Sequence, residues 1–273
     1  MSFEWQSIAS KSNPLVVRMS KLKDKKYRKQ ESLFRFDGIK LFEEAAKFGA
    51  PIEYVFIAES AAERFVSAVD KTGIEAKRYI LSNDAFAKLT DESAPEGIIT
   101  VCGMLPNVAN GEGCDLIRSK SDNESVVVLE SIRDAGNMGT ILRSARAFGV
   151  DILVISSDCA DLYNPKTVRA AMGALFSQKI VIVDSVVDAV KALKESGART
   201  FAAALHNNSS ELGSFALRRG DAILIGNEGH GLTVDAIEAC DGSIIIPMEE
   251  NTESLNASIA ASVCMWELYK LKH

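Results

Sequence analysis

Short apolar runs that alternate with helical patterns constrain this chain most. VVVL at 126–129, ILVIS at 152–156, IVIV at 180–183, AILI at 222–225 and III at 244–246 are too short for helices. They are also too continuous for strands with one wet face, so they read as strands buried on both sides. A further strand is expected over 200–205. Between them, apolar spacing predicts helices over 137–148, 165–175, 186–193 and 234–239, and a long apolar helix closes the chain from about 254 to 271. This alternation predicts an α/β fold with a parallel sheet covered on both faces. Upstream, strands over 33–36, 52–58, 76–81 and 97–101 alternate with helices over 38–48, 61–71 and 83–89. They read as a separate small α/β unit.

Turn formers and polar residues dominate between the two patterns, with Pro106, Asn107, Asn110, Gly111 and Gly113, then Ser119 to Asn123. They predict a small domain over 1–105, a linker over 106–123 and a second domain over 124–273. With 273 residues, the chain is long enough for two cores without disulfides or metals. The net charge of -6 excludes a uniformly basic nucleic-acid binder, so any such contact must be local. One candidate patch is Lys11, Arg18, Lys21, Lys23, Lys25, Lys26, Arg28 and Lys29, opposed only by Asp24. It is either a solvated helix face or an arm that meets phosphates. The five cysteines form no C-x-x-C pair, which argues against zinc and against a disulfide framework. Reduced thiols, no signal-peptide pattern at the start and no apolar run near membrane-spanning length together predict a cytoplasmic protein with no metal and no membrane segment.

Three segments could carry chemistry, and each follows a predicted strand. Asp134 to Arg143 (DAGNMGTILR) places Asn137 as a helix N-cap and Arg143 six residues further on. Arg146 neighbours Arg143 on the same helix, and two close arginines favour an anionic ligand. Gly226, Gly229 and Gly231 space a turn that either admits a ligand to the backbone or simply turns. Its order is not the dinucleotide G-x-G-x-x-G, and it lacks the Lys and Ser/Thr of a phosphate-binding loop. His230, His206 and His273 have no triad or metal spacing. Ile244 to Ser258 is a strand stopped by Pro247, a polar turn, and a helix opened by Ser254 and Asn256. Ser254 there is either an ordinary cap or a ligand contact. In a parallel sheet all three segments fall on the rim where ligands bind.

NMGTILR (137–143), IGNEGHGL (225–232) and IPMEENTESLN (246–256) resemble, in order and spacing, the three motifs of the SpoU-type RNA ribose 2′-O-methyltransferases of the SPOUT superfamily. The resemblance covers about 125–270; the first unit is similar, more loosely, to the small RNA-binding domain many such enzymes carry. The resemblance implies S-adenosylmethionine as cofactor, held in a C-terminal trefoil knot near Leu205, Gly226, Ile246, Met248 and Leu255. It implies Arg143, Asn137, Glu228, Ser254 and Asn256 as the catalytic set, a homodimer packed through the motif-bearing helices, and structured RNA, ribosomal in preference, as substrate. Many members have Gly where this chain has Glu250, so its turn must avoid a glycine-only conformation. Two other readings remain: a transfer RNA 2′-O-methyltransferase, and a non-catalytic RNA-binding or ribosome-assembly protein on the same scaffold.

Overall fold

Two sheets carry the chain. The computed structural model describes residues 4–110, 113–205, 209–214, 216–249 and 254–272. Contacts divide the chain into one unit of Met1–Leu105 with Asp161–Phe176, and a second of Pro106–Ala160 with Ser177–His273.

The first unit runs β1 (Trp5–Ile8), α1 (Pro14–Ser20), α2 (Lys25–Glu31), β2 (Leu33–Asp37), α3 (Ile39–Lys47), β3 (Ile52–Ala58), α4 (Ala62–Lys71), β4 (Lys77–Leu81), α5 (Asn83–Leu89) and β5 (Ile98–Gly103). Its sheet has the order β1-β4-β3-β5-β2. β4 is parallel to β1 and β3, whereas β5 is antiparallel to β3 and β2. Apolar spacing reports burial and not direction, so the mixed sheet could not be read in advance. β1 was also not expected, because WQSI has no apolar run; its place is set by pairing with β4.

The basic arm divides on folding. Arg28 is buried, donating to the Leu22 and Lys23 carbonyls at 2.7 and 2.6 Å and to Asp161 at 2.6 Å. Arg18 pairs with Glu31. Lys11, Lys21, Lys23, Lys25, Lys26 and Lys29 remain exposed. The patch that can meet phosphate is therefore made of lysines, while the two arginines serve the fold.

The chain continues with β6 (Val108–Asn110), α6 (Gly113–Arg118), β7 (Val126–Leu129), α7 (Ala135–Ala147), β8 (Ile152–Ser156), α8 (Pro165–Ala171), β9 (Lys179–Val183), α9 (Val186–Glu195), β10 (Thr200–Ala203), β11 (Ser210–Glu211), β12 (Ala222–Ile225), α10 (Val234–Ala239), β13 (Gly242–Ile245) and α11 (Ala257–Lys270). All but α8 belong to the second unit. Its eight strands lie in the order β11-β13-β10-β12-β7-β8-β9-β6, and every pairing is parallel, as the buried runs require. β7, β8 and β12 are buried along their whole length.

Two stretches differ from expectation. Residues 106–123, expected as a linker, supply β6, which pairs with β9, and α6, which packs on α9 with Ile117 fully buried. Residues 161–176 pack with the first unit: Phe34 meets Tyr163 at 4.7 Å and Phe36 meets Phe176 at 5.2 Å between ring centroids. α8 also stops short of 175, because Met172 and Gly173 both take left-handed backbone, at φ 48° and 89°. Tyr163 and Phe176, on either side of α8, find their aromatic partners far away in sequence.

Cysteines 102, 159 and 264 are buried and Cys114 and Cys240 half-buried, all as free thiols. Burial pushes the Cys264 thiol up to about 12 and Cys240 up to about 11, which suits inert thiols.

Candidate active site

A cavity of about 790 Å³ opens past the C-terminal ends of β10, β12 and β13. That is the rim where an open parallel sheet presents ligands. Leu205, Gly226, Ile246, Met248 and Leu255 all line it, and so do Glu228 and Ser254. Three segments far apart in sequence therefore share one wall. Leu205 is 90% exposed and Met248 44%, apolar side chains a bound molecule would cover. Glu250 and Glu253 lie outside the described residues, as do His206 and His273.

The glycine turn is built on itself. The Asn227 and Gly231 main chains exchange hydrogen bonds at 3.0 and 2.9 Å. The Asn227 Oδ1 accepts from the Gly229 and His230 N–H groups at 2.8 and 3.2 Å, and its Nδ2 donates to the Ser131 carbonyl at 2.7 Å. A Cβ on Gly226 would lie 2.2 Å from the Gly231 carbonyl carbon. Gly226 is thus demanded by a crossing of the loop's own backbone, and the turn reading and the ligand reading coincide: the same crossing forms the cavity wall.

Caps sit elsewhere than the sequence suggested. The N-cap of α7 is Asp134, whose Oδ1 accepts from the Asn137 N–H at 2.9 Å. Asn137 lies inside the first turn, which leaves its amide free for longer-range bonds. Its Nδ2 donates to Glu228 Oε1 at 2.8 Å, and its Oδ1 accepts from Asn256 Nδ2 at 3.1 Å. The N-cap of α11 is Asn256, not Ser254; its Oδ1 accepts from the Ser258 N–H at 2.8 Å and hydroxyl at 2.6 Å. Ser254 is left to the cavity. A chain of hydrogen bonds thus links the first, second and third motif segments. Asp134 carries a readable signal, an Asp three residues before the amide it caps. Asn227 carries none beyond its place in a turn.

Arg143 is not part of that chain. It sits six residues beyond Asn137 on α7, where the two positions lie about 120° apart around the helix. It is exposed, does not line the cavity, and has no hydrogen bond or ion pair with a described residue. Beside the site, Asp158 accepts from the Ser131 and Ser156 hydroxyls at 2.5 Å each and from Arg133 at 2.7 Å. Burial works to raise the Asp158 carboxyl, but those hydrogen bonds and the Arg133 charge outweigh it and hold it below its ordinary value.

Among the described residues no group of three His, Cys, Asp or Glu could hold a metal, and no helix is long and apolar enough to cross a membrane.

Residues 124–266 match the SpoU rRNA Methylase family, and residues 13–100 match the MRM3-like substrate binding domain. The 23S rRNA (guanosine(2553)-2′-O)-methyltransferase RlmP of Bacillus subtilis is 30% identical over 270 residues, covering 96% of this chain and 99% of that protein. The SpoU methyltransferase AviRb from Streptomyces viridochromogenes, solved in complex with the cofactor AdoMet, is 25% identical with a TM-score of 0.82, covering 95% of this chain and 98% of that one. An rRNA methyltransferase from Sinorhizobium meliloti shares the fold, with a TM-score of 0.84, 23% identity and 98% of both chains covered. The family match takes in more than half of the chain, and the RlmP likeness nearly all of it: the chain belongs to the SpoU rRNA methylase family.

Proposed function

We propose that this protein transfers a methyl group from S-adenosylmethionine to a ribose 2′-oxygen of structured RNA, ribosomal RNA in preference. The observation that carries the reading is that the second and third motif segments wall one cavity, and that Asn137 of the first is bonded to Glu228 in that wall. The cavity suits the cofactor. Its volume falls within the range of roughly 300–1,000 Å³ usual for such ligands. Glu211, Glu228 and Glu249 line it, with no Lys or Arg among the described lining residues. Acidic walls favour a cationic methyl donor, and the relative AviRb was solved with AdoMet.

S-adenosylmethionine supplies, when bound, a methyl group activated by its sulfonium. Attack of the ribose 2′-oxygen on that methyl carbon would release the neutral thioether, with the hydroxyl proton passing to water. Holding the two partners aligned is the protein's main task, with effective molarities on the order of 10⁵ M or more for well-oriented groups. Leu205, Gly226, Ile246, Met248 and Leu255 hold the donor. Asn137, Glu228, Ser254 and Asn256 orient the substrate and keep the loops in register. A guanidinium offers donors and no acceptor, so Arg143 is read as no simple base. It binds a phosphate and stabilises the developing alkoxide.

The first unit selects the RNA. A substrate-binding family model matches it, and its exposed lysines suit a phosphate backbone. Neutralising Lys23, Lys25, Lys26 and Lys29 together should weaken RNA binding about tenfold at moderate salt and flatten its salt dependence. Cofactor binding should not change; unchanged RNA affinity would count against this division of labour.

The same reading makes the protein a cytoplasmic homodimer with a knotted C-terminal region. Ile259 and Trp266 on α11 are exposed apolar side chains, and Trp266 stacks with Tyr269 and meets Phe148 edge-on, a patch suited to a second copy. β10 lies between β12 and β13, so the chain passes from one side of β10 to the other after β12.

Calorimetry with S-adenosylmethionine, followed by mapping of methylated riboses in RNA from cells with and without the gene, tests the function. Micromolar binding and one ribosomal ribose lost on deletion are expected. A lost transfer RNA site would reassign the substrate, and no cofactor binding would leave a non-catalytic scaffold.

A further inference from the structure

The glycine loop leaves and rejoins the fold over one buried side chain. Glu130 follows β7 and is only 8% exposed. Its main-chain N–H donates to the Ile225 carbonyl at 2.9 Å, where β12 ends and the loop begins. Its carboxylate reaches the far end of the loop. Oε2 accepts from the Thr233 N–H at 2.8 Å and Oε1 from the Thr233 hydroxyl at 2.9 Å. The same hydroxyl accepts from the Ala236 N–H at 3.3 Å and caps α10. One residue therefore spans the base of a loop whose members Gly226, Asn227, Glu228, Gly229 and Gly231 line the cavity.

The arrangement is costly unless it has a purpose. A buried carboxylate loses solvation, and hydrogen bonds or a paired cation must compensate. No ion pair joins Glu130 to a described residue, so its charge is held by Thr233 alone among side chains. Neither Glu130 nor Thr233 lines the cavity, which separates them from groups that touch the donor. The next residue strengthens the hold. The Ser131 carbonyl takes Asn227 Nδ2 at 2.7 Å, and Ser131 stands in left-handed backbone at φ 56°. Its N–H donates to the Ser156 hydroxyl at 2.9 Å and its own hydroxyl to Asp158 at 2.5 Å. The same loop also meets the first turn of α7, through Glu228 and Asn137.

We propose that Glu130 is a positioning residue for methyl-donor binding: by clamping Thr233 it sets the width of the glycine loop, and with it the cavity wall. The inference rests on the cofactor reading above. It assigns Glu130 no contact with donor or RNA, so its removal acts on donor affinity and leaves the transfer step largely intact.

The test uses the full chain with Glu130→Ala, Glu130→Gln and Thr233→Val, reading S-adenosylmethionine Kd by calorimetry, then KM and kcat with RNA. Glu130→Ala is expected to raise Kd and KM for the donor about tenfold, with kcat at saturating donor falling less than threefold. Glu130→Gln keeps an acceptor for the Thr233 N–H and should return Kd to within threefold of wild type. Thr233→Val loses only the hydroxyl and should raise Kd about threefold. A residue that merely supports the fold would lower Tm and kcat without this split and without rescue by glutamine. Donor affinity within twofold of wild type in both Glu130→Ala and Thr233→Val overturns the inference; if Glu130→Ala does not fold, unchanged affinity in Thr233→Val does so alone. A wild-type protein that binds no donor overturns the cofactor reading and the inference together.

Discussion

Arg143→Ala should lower the rate of methyl transfer by two to three orders of magnitude while leaving S-adenosylmethionine affinity within twofold. The magnitude is that of losing one donor to developing negative charge, the role proposed for Arg143, which costs roughly 10²–10³ in rate. The split follows from place: Arg143 is exposed on α7 and absent from the cavity lining. Its side chain is also free of bonds to described residues, so the substitution removes no structural contact. Lysine should restore little, because a point charge cannot reproduce the planar fork that grips a phosphate. Single-turnover transfer and donor calorimetry on the same preparation check both halves. Near-normal turnover would remove Arg143 from the mechanism.

Gly226→Ala should weaken donor binding at least about a hundredfold with the fold retained. The added carbon would lie 2.2 Å from the Gly231 carbonyl carbon and 2.3 Å from the Leu232 nitrogen. Both are main-chain atoms, which cannot rotate away as a side chain can. The loop must open, breaking the paired Asn227–Gly231 bonds and moving the wall that carries Glu228. Overpacking of this kind costs about 1–3 kcal/mol, which the fully buried strands β7 and β12 beneath can absorb. Gly229 is the contrast. A Cβ there meets only Asn227 Oδ1 at 3.5 Å, so Gly229→Ala should lose less than a tenth as much affinity. Calorimetry and a melting curve on each variant decide it; a Gly226→Ala protein with wild-type Kd would mean that the wall is softer than its backbone crossing implies.

The parallel-sheet unit was legible because its strands are buried on both faces, and such strands must be continuous apolar runs. That Leu205, Gly226, Ile246, Met248 and Leu255 share one cavity was legible only through motif resemblance, since no single segment distinguishes a ligand contact from a cap. Ser254 and Asn137 show why. Both have cap chemistry, and local sequence allows a cap at either. In the fold, Asp134 and Asn256 take those places, because each lies where the strand-to-helix turn points its side chain at free N–H groups.

Local physics, meaning apolar period, turn residues and the stop at Pro247, determined from sequence alone that there would be a parallel α/β unit with the three motif segments after its strands. Three things were left to the tertiary structure. It decided that residues 161–176 pack with the first unit, that Arg28 is buried against Asp161 while the lysines stay out, and that Asn137, Glu228 and Asn256 bond to one another. Each depends on a partner tens of residues away or more. Side-chain pattern encodes how much of a segment is buried, but not which distant surface buries it, and only the closed chain makes that choice.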